Sequence, residues 1–190
     1  MGRIPGTFHG IVMLYNTKMR NNGEHPMARL HRSLVTGFPS EDHDHDVCRE
    51  TVLATAEVIC RRRGMRFTRL RRRVLELIWD EHRPVKAYEL LDRLRGERAG
   101  AAPPTVYRTL DFLLQEGLIH RVESLNAYVG CGKPGHVHPV QLLVCRSCAA
   151  VAELADDDVA RLLQHKAGQM GFQTDSAVVE LEGVCPQCSR

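Results

Sequence analysis

The sequence lacks any hydrophobic run that could cross a membrane. No segment approaches the roughly 18 consecutive apolar residues that a spanning helix needs. The apolar stretch at residues 11–15 is too short to form the core of a signal peptide. We therefore expect the chain to work in the cytoplasm, where cysteines stay reduced.

Strong net charge is also missing, because the formal value is only +3 at pH 7. The charges are unevenly placed: basic residues exceed acidic ones over residues 47–120, and acidic residues exceed basic ones over residues 121–190. A polyanionic partner should therefore prefer the first of these two segments.

Residues 1–46 show neither helical nor strand periodicity, and we predict a disordered N-terminal arm there. Residues 42–46 alternate aspartate and histidine, a composition that can bind metals. A flexible tract has no fixed ligand geometry, so we assign this one no function.

Residues 47–130 have the pattern of a winged-helix domain. Helical periodicity begins at Val47 and stops at Gly64, and a second helix starts after the N-cap Thr68. A third helix covers residues 90–94, and a fourth runs from Pro103 to a stop at Gly117. Strand-like runs at 118–122 and 127–129 then form a hairpin. Four arginines of the second helix are expected to remain available on its outer face: Arg69, Arg71, Arg72 and Arg73.

Residues 131–190 are predicted to form a small α/β domain, which makes the fold class α+β. Strands are expected at 140–144, 151–154 and 177–181, with a helix over 156–170. The side chains of that helix expected to point inward are Val159, Leu162, Leu163, Ala167 and Met170.

The strongest chemical signal is a pair of C-x-x-C motifs, Cys145 with Cys148 and Cys185 with Cys188. Two such motifs can complete a tetrahedral shell of four thiolates around zinc. A closed shell has no open position, so its expected role is structural, and folding should depend on it. The alternatives are redox-active motifs or idle thiols.

A second, looser group lies near the junction of the two predicted domains. Donors from both sides could bind one metal and so fix the angle between the domains. A thiolate among the donors favours zinc over manganese. Each residue alone is more typical of an ordinary surface or hydrogen-bonded position, and the group consists of His120, Cys131, His136, His138 and Glu153.

The fourth helix is the candidate DNA-binding element. Its N-terminus should point at phosphates, Arg108 is placed to reach guanine in a major groove, and Thr105 and Tyr107 are placed to touch backbone or base edges. The basic run from Arg61 to Arg73 supports this interpretation. The alternatives are a merely solvated helix face or a winged helix that binds protein.

An enzyme is the competing class of function. The C-x-x-C motifs could serve a thiol oxidoreductase, or the metal a hydrolytic centre. However, no nucleophile with a nearby base is recognisable, and closed cysteine shells leave no position for a substrate.

From about Val47 to its end, the sequence resembles the ferric uptake regulator superfamily, and within it the zinc uptake regulator branch. The most specific stretch is residues 103–114, PPTVYRTLDFLL. Residues 87–92 (AYELLD), residues 120–124 (HRVES) and both C-x-x-C motifs are also similar.

The resemblance implies a homodimer, joined through the C-terminal domains, that represses zinc-uptake genes from a palindromic operator. It implies that Tyr88 and Arg108 contact bases and that Asp92 with Arg95 pairs neighbouring dimers. Two zinc ions per subunit are implied, one structural and one regulatory. The implied structural ligands are Cys145, Cys148, Cys185 and Cys188, and the implied regulatory ligands are His120, Cys131, His138 and Glu153.

Two departures from the family pattern affect these expectations. The segment between Cys131 and His138 is about one residue short, so His136 could replace His138 as a ligand. The histidine-rich run of iron and peroxide sensors is absent before Cys145. The second departure argues against iron or peroxide sensing through those ligands, although another signal such as iron, manganese, nickel or haem remains the alternative.

Overall fold

The computed structural model describes residues 34–36, 38, 45–80, 83–97, 102–135 and 138–189. Every described residue belongs to one compact unit, Arg32–Arg190. Most of the predicted arm, including residues 42–44 of the aspartate-histidine tract, lies outside the described residues.

Two described pieces of the predicted arm have regular structure, so the prediction of disorder was wrong for them. Strand β1, Leu34–Thr36, pairs antiparallel with a strand of the C-terminal region. Helix α1 begins at His45, before the predicted boundary. A three-residue strand depends on hydrogen bonds to a distant part of the chain, and sequence periodicity does not reveal such bonds.

Four helices make up the first part of the fold, and local signals set their ends. Thr68 accepts a hydrogen bond from the Arg71 N–H and so caps the second helix. Gly64 follows the first helix with φ +67°, a conformation that favours glycine. The helices are α1 (His45–Arg62), α2 (Arg69–Trp79), α3 (Ala87–Glu97) and α4 (Pro103–Gln115).

A hairpin follows the helices and completes a winged helix, as predicted. Strands β2 (Ile119–Val122) and β3 (Ala127–Gly130) pair antiparallel, and an isolated bridge joins Val85 to Tyr128. We call residues 45–130 the winged-helix region. Its core is one cluster around fully buried side chains of α2, α3 and α4, among them Leu75, Leu90 and Leu110.

The remaining elements form the C-terminal region, residues 138–189. Its sheet has the order β1-β5-β4-β6, in which β4 and β6 are parallel. Helix α5 lies between β5 and β6 in the chain, and Asp156 caps it by accepting from the N–H groups of Asp158 and Val159. The bounds are β4 (Val140–Cys145), β5 (Val151–Ala155), α5 (Asp157–Gln169) and β6 (Val178–Gly183).

The apolar face of α5 is exposed, which corrects the prediction that its side chains point inward. None of the residues of α5 is buried, and Leu162 and Leu163 are 57% and 42% exposed, with Met170 beyond the helix at 87%. The helix is amphipathic as predicted, but no described element of the same chain covers its apolar face.

A small apolar cluster joins the two regions. Val122 of the hairpin is buried against Leu142 and Val144 of β4. Partly buried side chains from both regions surround these three: Leu125, Val129, Val140 and Val151. The hairpin therefore packs on the C-terminal sheet. In the part of the chain that the structure describes, no helix combines the length and apolar character needed to cross a bilayer.

The end of the hairpin provides a test of the packing. A Cβ built on Gly130 would lie 2.1 Å from Cε2 of Trp79, so Gly130→Ala must displace a large ring. We expect a loss of about 1–3 kcal/mol in the free energy of unfolding, measured by urea denaturation.

The matched control is Gly96→Ala in α3, where an added Cβ meets nothing within 4 Å. This control should leave stability unchanged or raise it by up to about 1 kcal/mol, because alanine favours helix. Equal stability of the two variants would contradict the close contact between Gly130 and Trp79.

Candidate metal centres and nucleic-acid interface

Two groups of potential ligands occur among the described residues, and they contain the eight predicted metal ligands. One group is Cys145, Cys148, Cys185 and Cys188, and the other is His120, Cys131, His138 and Glu153. Within each group all ligand atoms lie within 4.8 Å of one another.

The four cysteines are brought together by two backbone turns. The first turn follows β4, where the Ala149 N–H donates to the Cys145 carbonyl. The second follows β6, where the Cys188 N–H donates to the Cys185 carbonyl. Since β4 and β6 are parallel neighbours, both turns lie at the same end of the sheet, where these two strands finish.

The spacing of the thiols fits a tetrahedral zinc. Sγ of Cys148 lies 3.7 Å from Sγ of Cys185, close to the roughly 3.8 Å edge of a tetrahedron with zinc–sulfur bonds of about 2.3 Å. Backbone N–H groups of Cys185 and Cys148 lower the pKa of Cys145 to about 6. Contacts with Cys148 and Cys185 raise the pKa of Cys188 to about 12. A bound cation would stabilise all four thiolates and so remove the opposition between these two pKa shifts.

The second group lies where the winged-helix and C-terminal regions meet. His120 is on β2, Cys131 directly follows β3, His138 precedes β4 and Glu153 is on β5. The position of His120 follows from hairpin register, since it pairs with Val129. His138 lies in this group, and His136 is outside the described residues.

Distances in this group converge on the Glu153 carboxylate. Its Oε1 is 2.6 Å from Nε2 of His138 and 3.4 Å from Nε2 of His120. Sγ of Cys131 is 3.7 Å from Nε2 of His138. The other carboxylate oxygen, Oε2, accepts a hydrogen bond from the Gly132 N–H at 2.9 Å.

Burial and electrostatics make this group suited to bind a metal. His120 is 8% exposed, and its Nε2 has no hydrogen-bond partner among the described residues, although it lies near Glu153. Burial, with the nearby Glu153 charge, raises the pKa of Cys131 to about 12. Burial opposes ionisation of Glu153, but His120 and the Gly132 N–H lower its pKa to about 2. Mixed nitrogen, sulfur and oxygen donors suit Zn²⁺.

The predicted DNA-contacting residues lie on exposed surfaces of α3 and α4. Tyr88 and Tyr107 are 58% and 53% exposed, and Thr105 and Arg108 are also exposed. Thr109, one turn after Thr105, is buried, and its hydroxyl donates to the Thr105 carbonyl. The face of α4 that carries Arg108 is therefore free of the protein core.

The N-terminus of α4 differs from the expectation that its N–H groups point at phosphates. Pro103 and Pro104 have no N–H. The next two N–H groups, those of Thr105 and Val106, both donate to the Ala102 carbonyl. The groups that this end of α4 offers to a ligand are therefore its side chains.

The arginines of α2 are less available than predicted. Arg72 forms ion pairs with Glu57 and Glu76, and Arg73 pairs with Glu76 and Glu97. Arg71 lies 3.3 Å above the ring centroid of Phe112. Exposed Arg69 is the member of the predicted set left for other contacts. The acidic partners come from α1 and α3 as well as α2, so the local sequence could not reveal them.

Asp92 and Arg95, expected to pair neighbouring dimers, are both exposed on α3. Within the chain their side chains are 3.8 Å apart. This is the weak type of surface ion pair, which a stronger partner can readily replace.

The comparisons with known proteins agree with this geometry. The ferric uptake regulator family model matches residues 62–182. The zinc uptake regulation protein of Escherichia coli (strain K12) is 41% identical over 142 residues, which cover 73% of this chain and 82% of that protein. The chain therefore belongs to the ferric uptake regulator family, a family of transcriptional regulators and not of enzymes.

Two solved structures are also similar to the chain. A zinc uptake regulator complexed with zinc and DNA is 40% identical, with a TM-score of 0.71, over 74% of this chain and 95% of that one. Holo XcZur is 44% identical, with a TM-score of 0.69, over 73% and 97% of the two chains. The resemblance to the zinc branch is thus confirmed.

Metal content can test the two ligand groups separately. We predict that the purified protein holds two zinc ions per subunit and that Cys131→Ser holds one while staying folded. The measurement is elemental analysis by mass spectrometry together with circular dichroism. The matched control is Cys48→Ser, a half-buried cysteine of α1 outside both groups. Two zinc ions in the Cys131→Ser variant would contradict the second site.

Proposed function

We propose that this protein is a zinc-responsive transcriptional repressor, which binds operator DNA as a zinc-loaded homodimer in the cytoplasm and represses zinc-uptake genes. The observation that carries the proposal is the second ligand group. It takes His120 from the hairpin of the winged helix, Cys131 from the position directly after the hairpin, and two residues from the C-terminal region, so filling it ties the DNA-binding surface to the sheet.

The two groups have different roles in this proposal. Cys145, Cys148, Cys185 and Cys188 would hold a structural zinc that fastens the end of the chain to β4. His120, Cys131, His138 and Glu153 would hold the regulatory zinc, which supplies the positive charge that keeps donors from both regions together. The empty group leaves the regions free to sample other orientations, only some of which match an operator.

The free energy that the regulatory zinc must supply to control DNA binding is modest. A metal that favours the DNA-binding orientation by about 2–4 kcal/mol would tighten operator binding roughly 30- to 1000-fold. By thermodynamic linkage, bound operator DNA would raise the affinity for the regulatory zinc by the same factor. Sensing of another metal through this fold is the second candidate, and the thiolate of Cys131 disfavours manganese.

Operator binding tests the proposal directly. Fluorescence anisotropy would follow a promoter fragment of a zinc-import gene while free zinc is buffered from femtomolar to nanomolar levels. We expect zinc to tighten binding steeply, and iron(II) or manganese(II) to have little effect. Binding that ignores zinc, or that responds equally to iron, would leave a DNA-binding protein with a different signal.

A variant of α4 tests the DNA contact within the same assay. Arg108→Ala should weaken operator binding by about 1–3 kcal/mol, roughly 5- to 150-fold, because one side chain with two donors to guanine is lost. Zinc content should stay at the wild-type value. Gln115→Ala, at the far end of the same helix, is the matched control and should bind as the wild type does.

The homodimer is supported by the exposed apolar surface of α5 and β6. Leu162 on α5 and Leu181 on β6 are more than half exposed, and so is Phe172 between these elements. Strand β6 is an edge strand with β4 on one side. An apolar surface of this kind next to an edge strand is typical of a protein interface, and a second copy of the chain offers the same surface by symmetry.

A charge placed on this surface should separate the dimer. We expect Leu162→Asp to be monomeric at micromolar concentration in analytical ultracentrifugation, because it buries a carboxylate in the interface. Gln164→Asp adds the same charge to α5 outside the apolar face and should remain dimeric. A dimeric Leu162→Asp variant would place the interface elsewhere.

A further inference from the structure

A contact that involves no metal ligand also joins the hairpin to the C-terminal sheet. The Glu180 carboxylate on β6 accepts hydrogen bonds from two consecutive backbone N–H groups, that of Glu123 at 2.5 Å and that of Ser124 at 3.0 Å. Both N–H groups belong to the turn of the hairpin. Hydrogen bonds to an ionised acceptor are about twice as strong as neutral ones.

The charges around this contact leave Glu180 available to the turn. The Glu123 side chain, which would repel it, lies 3.2 Å from the Arg121 guanidinium. That guanidinium also donates to the Asn126 side chain. The turn therefore presents its backbone to Glu180 and keeps its own carboxylate in an ion pair.

The second ligand group, His120, Cys131, His138 and Glu153, is called the regulatory group below. Sheet register places Glu180 in line with Glu153 of this group. Leu142 of β4 pairs with Glu153 of β5 on one side and with Glu180 of β6 on the other. Residues paired directly across neighbouring strands share a face of the sheet. Glu153, Leu142 and Glu180 thus form a row, and its two carboxylates are about 10 Å apart at a strand spacing of about 4.8 Å.

The hairpin matches this row in length. Its attachment to Glu153 is at His120, and its attachment to Glu180 is at Glu123, three residues further along. Three residues of strand span about 10 Å. Between the two attachments, Val122 of the hairpin packs on Leu142 at the centre of the row.

We propose that Glu180 is a positioning residue that fixes the winged helix on the C-terminal sheet at the turn of the hairpin, while the regulatory group fixes it at the base. One attachment point leaves a rigid body free to rotate about it in any direction, and a second point about 10 Å away restricts that rotation to the axis through the two points. Glu180 then sets the orientation in which α4 meets an operator. This inference rests on the proposed function.

Three variants and three measurements test this role. Glu180→Ala removes both acceptors, Glu180→Gln keeps one, and Glu182→Ala removes an exposed carboxylate of the same strand as the control. Hydrogen exchange, read by mass spectrometry on the peptide of the hairpin turn, reports the contact itself. Small-angle X-ray scattering of the zinc-loaded protein reports the orientation of the regions, and anisotropy at saturating zinc reports operator affinity.

We expect Glu180→Ala to hold both zinc ions at saturation, to exchange about tenfold faster in the turn and to scatter as a more extended particle. Its operator binding should weaken about tenfold, which corresponds to about 1.4 kcal/mol. Glu180→Gln should lie between Glu180→Ala and the wild type, and Glu182→Ala should match the wild type throughout.

The proposal is overturned if Glu180→Ala matches Glu182→Ala in scattering. It is also overturned if exchange rises while scattering and operator affinity stay at the control values, since the contact would then only cap a turn. A wild-type protein that binds no operator in response to zinc would instead reject the proposed function. Exchange and scattering would still decide whether Glu180 positions the hairpin.

Discussion

Four donor atoms at the junction of two regions impose the central constraint on this molecule. A carboxylate, a thiol and two imidazoles lie within 4.8 Å of one another, and three of the four residues are buried. Desolvated groups of this kind are costly unless a counter-charge binds them. Strand β2, the residue after β3, the segment before β4 and strand β5 must all bring their donors to one point for such a counter-charge to bind. The placement of the winged-helix region therefore depends on this junction.

The core of the winged-helix region depends much less on the junction. The winged-helix region has its own cluster of fully buried side chains from α2, α3 and α4, centred on residues such as Leu75 and Leu110. The C-terminal region is held by its sheet and by the turns that bring four cysteines together. Between the regions lie a cluster built on Val122, Leu142 and Val144, the contact of Glu180 and the ligand group. Two regions joined by few contacts are suited to a change of orientation that a single ion can control.

Local sequence signals predicted the elements whose ends depend on nearby residues. Thr68 as a cap and Gly64 as a stop have this origin, and so does the hairpin around residues 122–127. The cysteine motifs were equally informative, because C-x-x-C spacing itself places two thiols on one turn. Local patterns could not show that His120 and Glu153 lie together, because their proximity depends on how a hairpin packs on a sheet. Family resemblance supplied that information.

Features that depend on distant partners were missed. Strand β1 forms only because β5 offers it an edge, and Arg72 and Arg73 are paired because acidic residues of α1 and α3 fold against them. The apolar face of α5 was assigned to the core because periodicity shows that a face is apolar but not what covers it. No sequence pattern indicated the role proposed for Glu180. That role depends on the strand register that aligns Glu180 with Leu142 and Glu153.

The most direct test of the account is the distance between the two regions as the regulatory group fills. Spin labels on noncanonical residues at Arg62 in the winged-helix region and Gln169 in the C-terminal region would avoid the cysteines, and excess unlabelled protein would remove distances between subunits. Electron–electron double resonance would then be recorded across buffered free zinc. The account predicts a broad distance distribution with only the four-cysteine site filled, which narrows to one distance as the second zinc binds and stays broad in Cys131→Ser. A narrow distribution that is independent of zinc would contradict it, because the orientation of the winged helix would then be fixed without the regulatory ion.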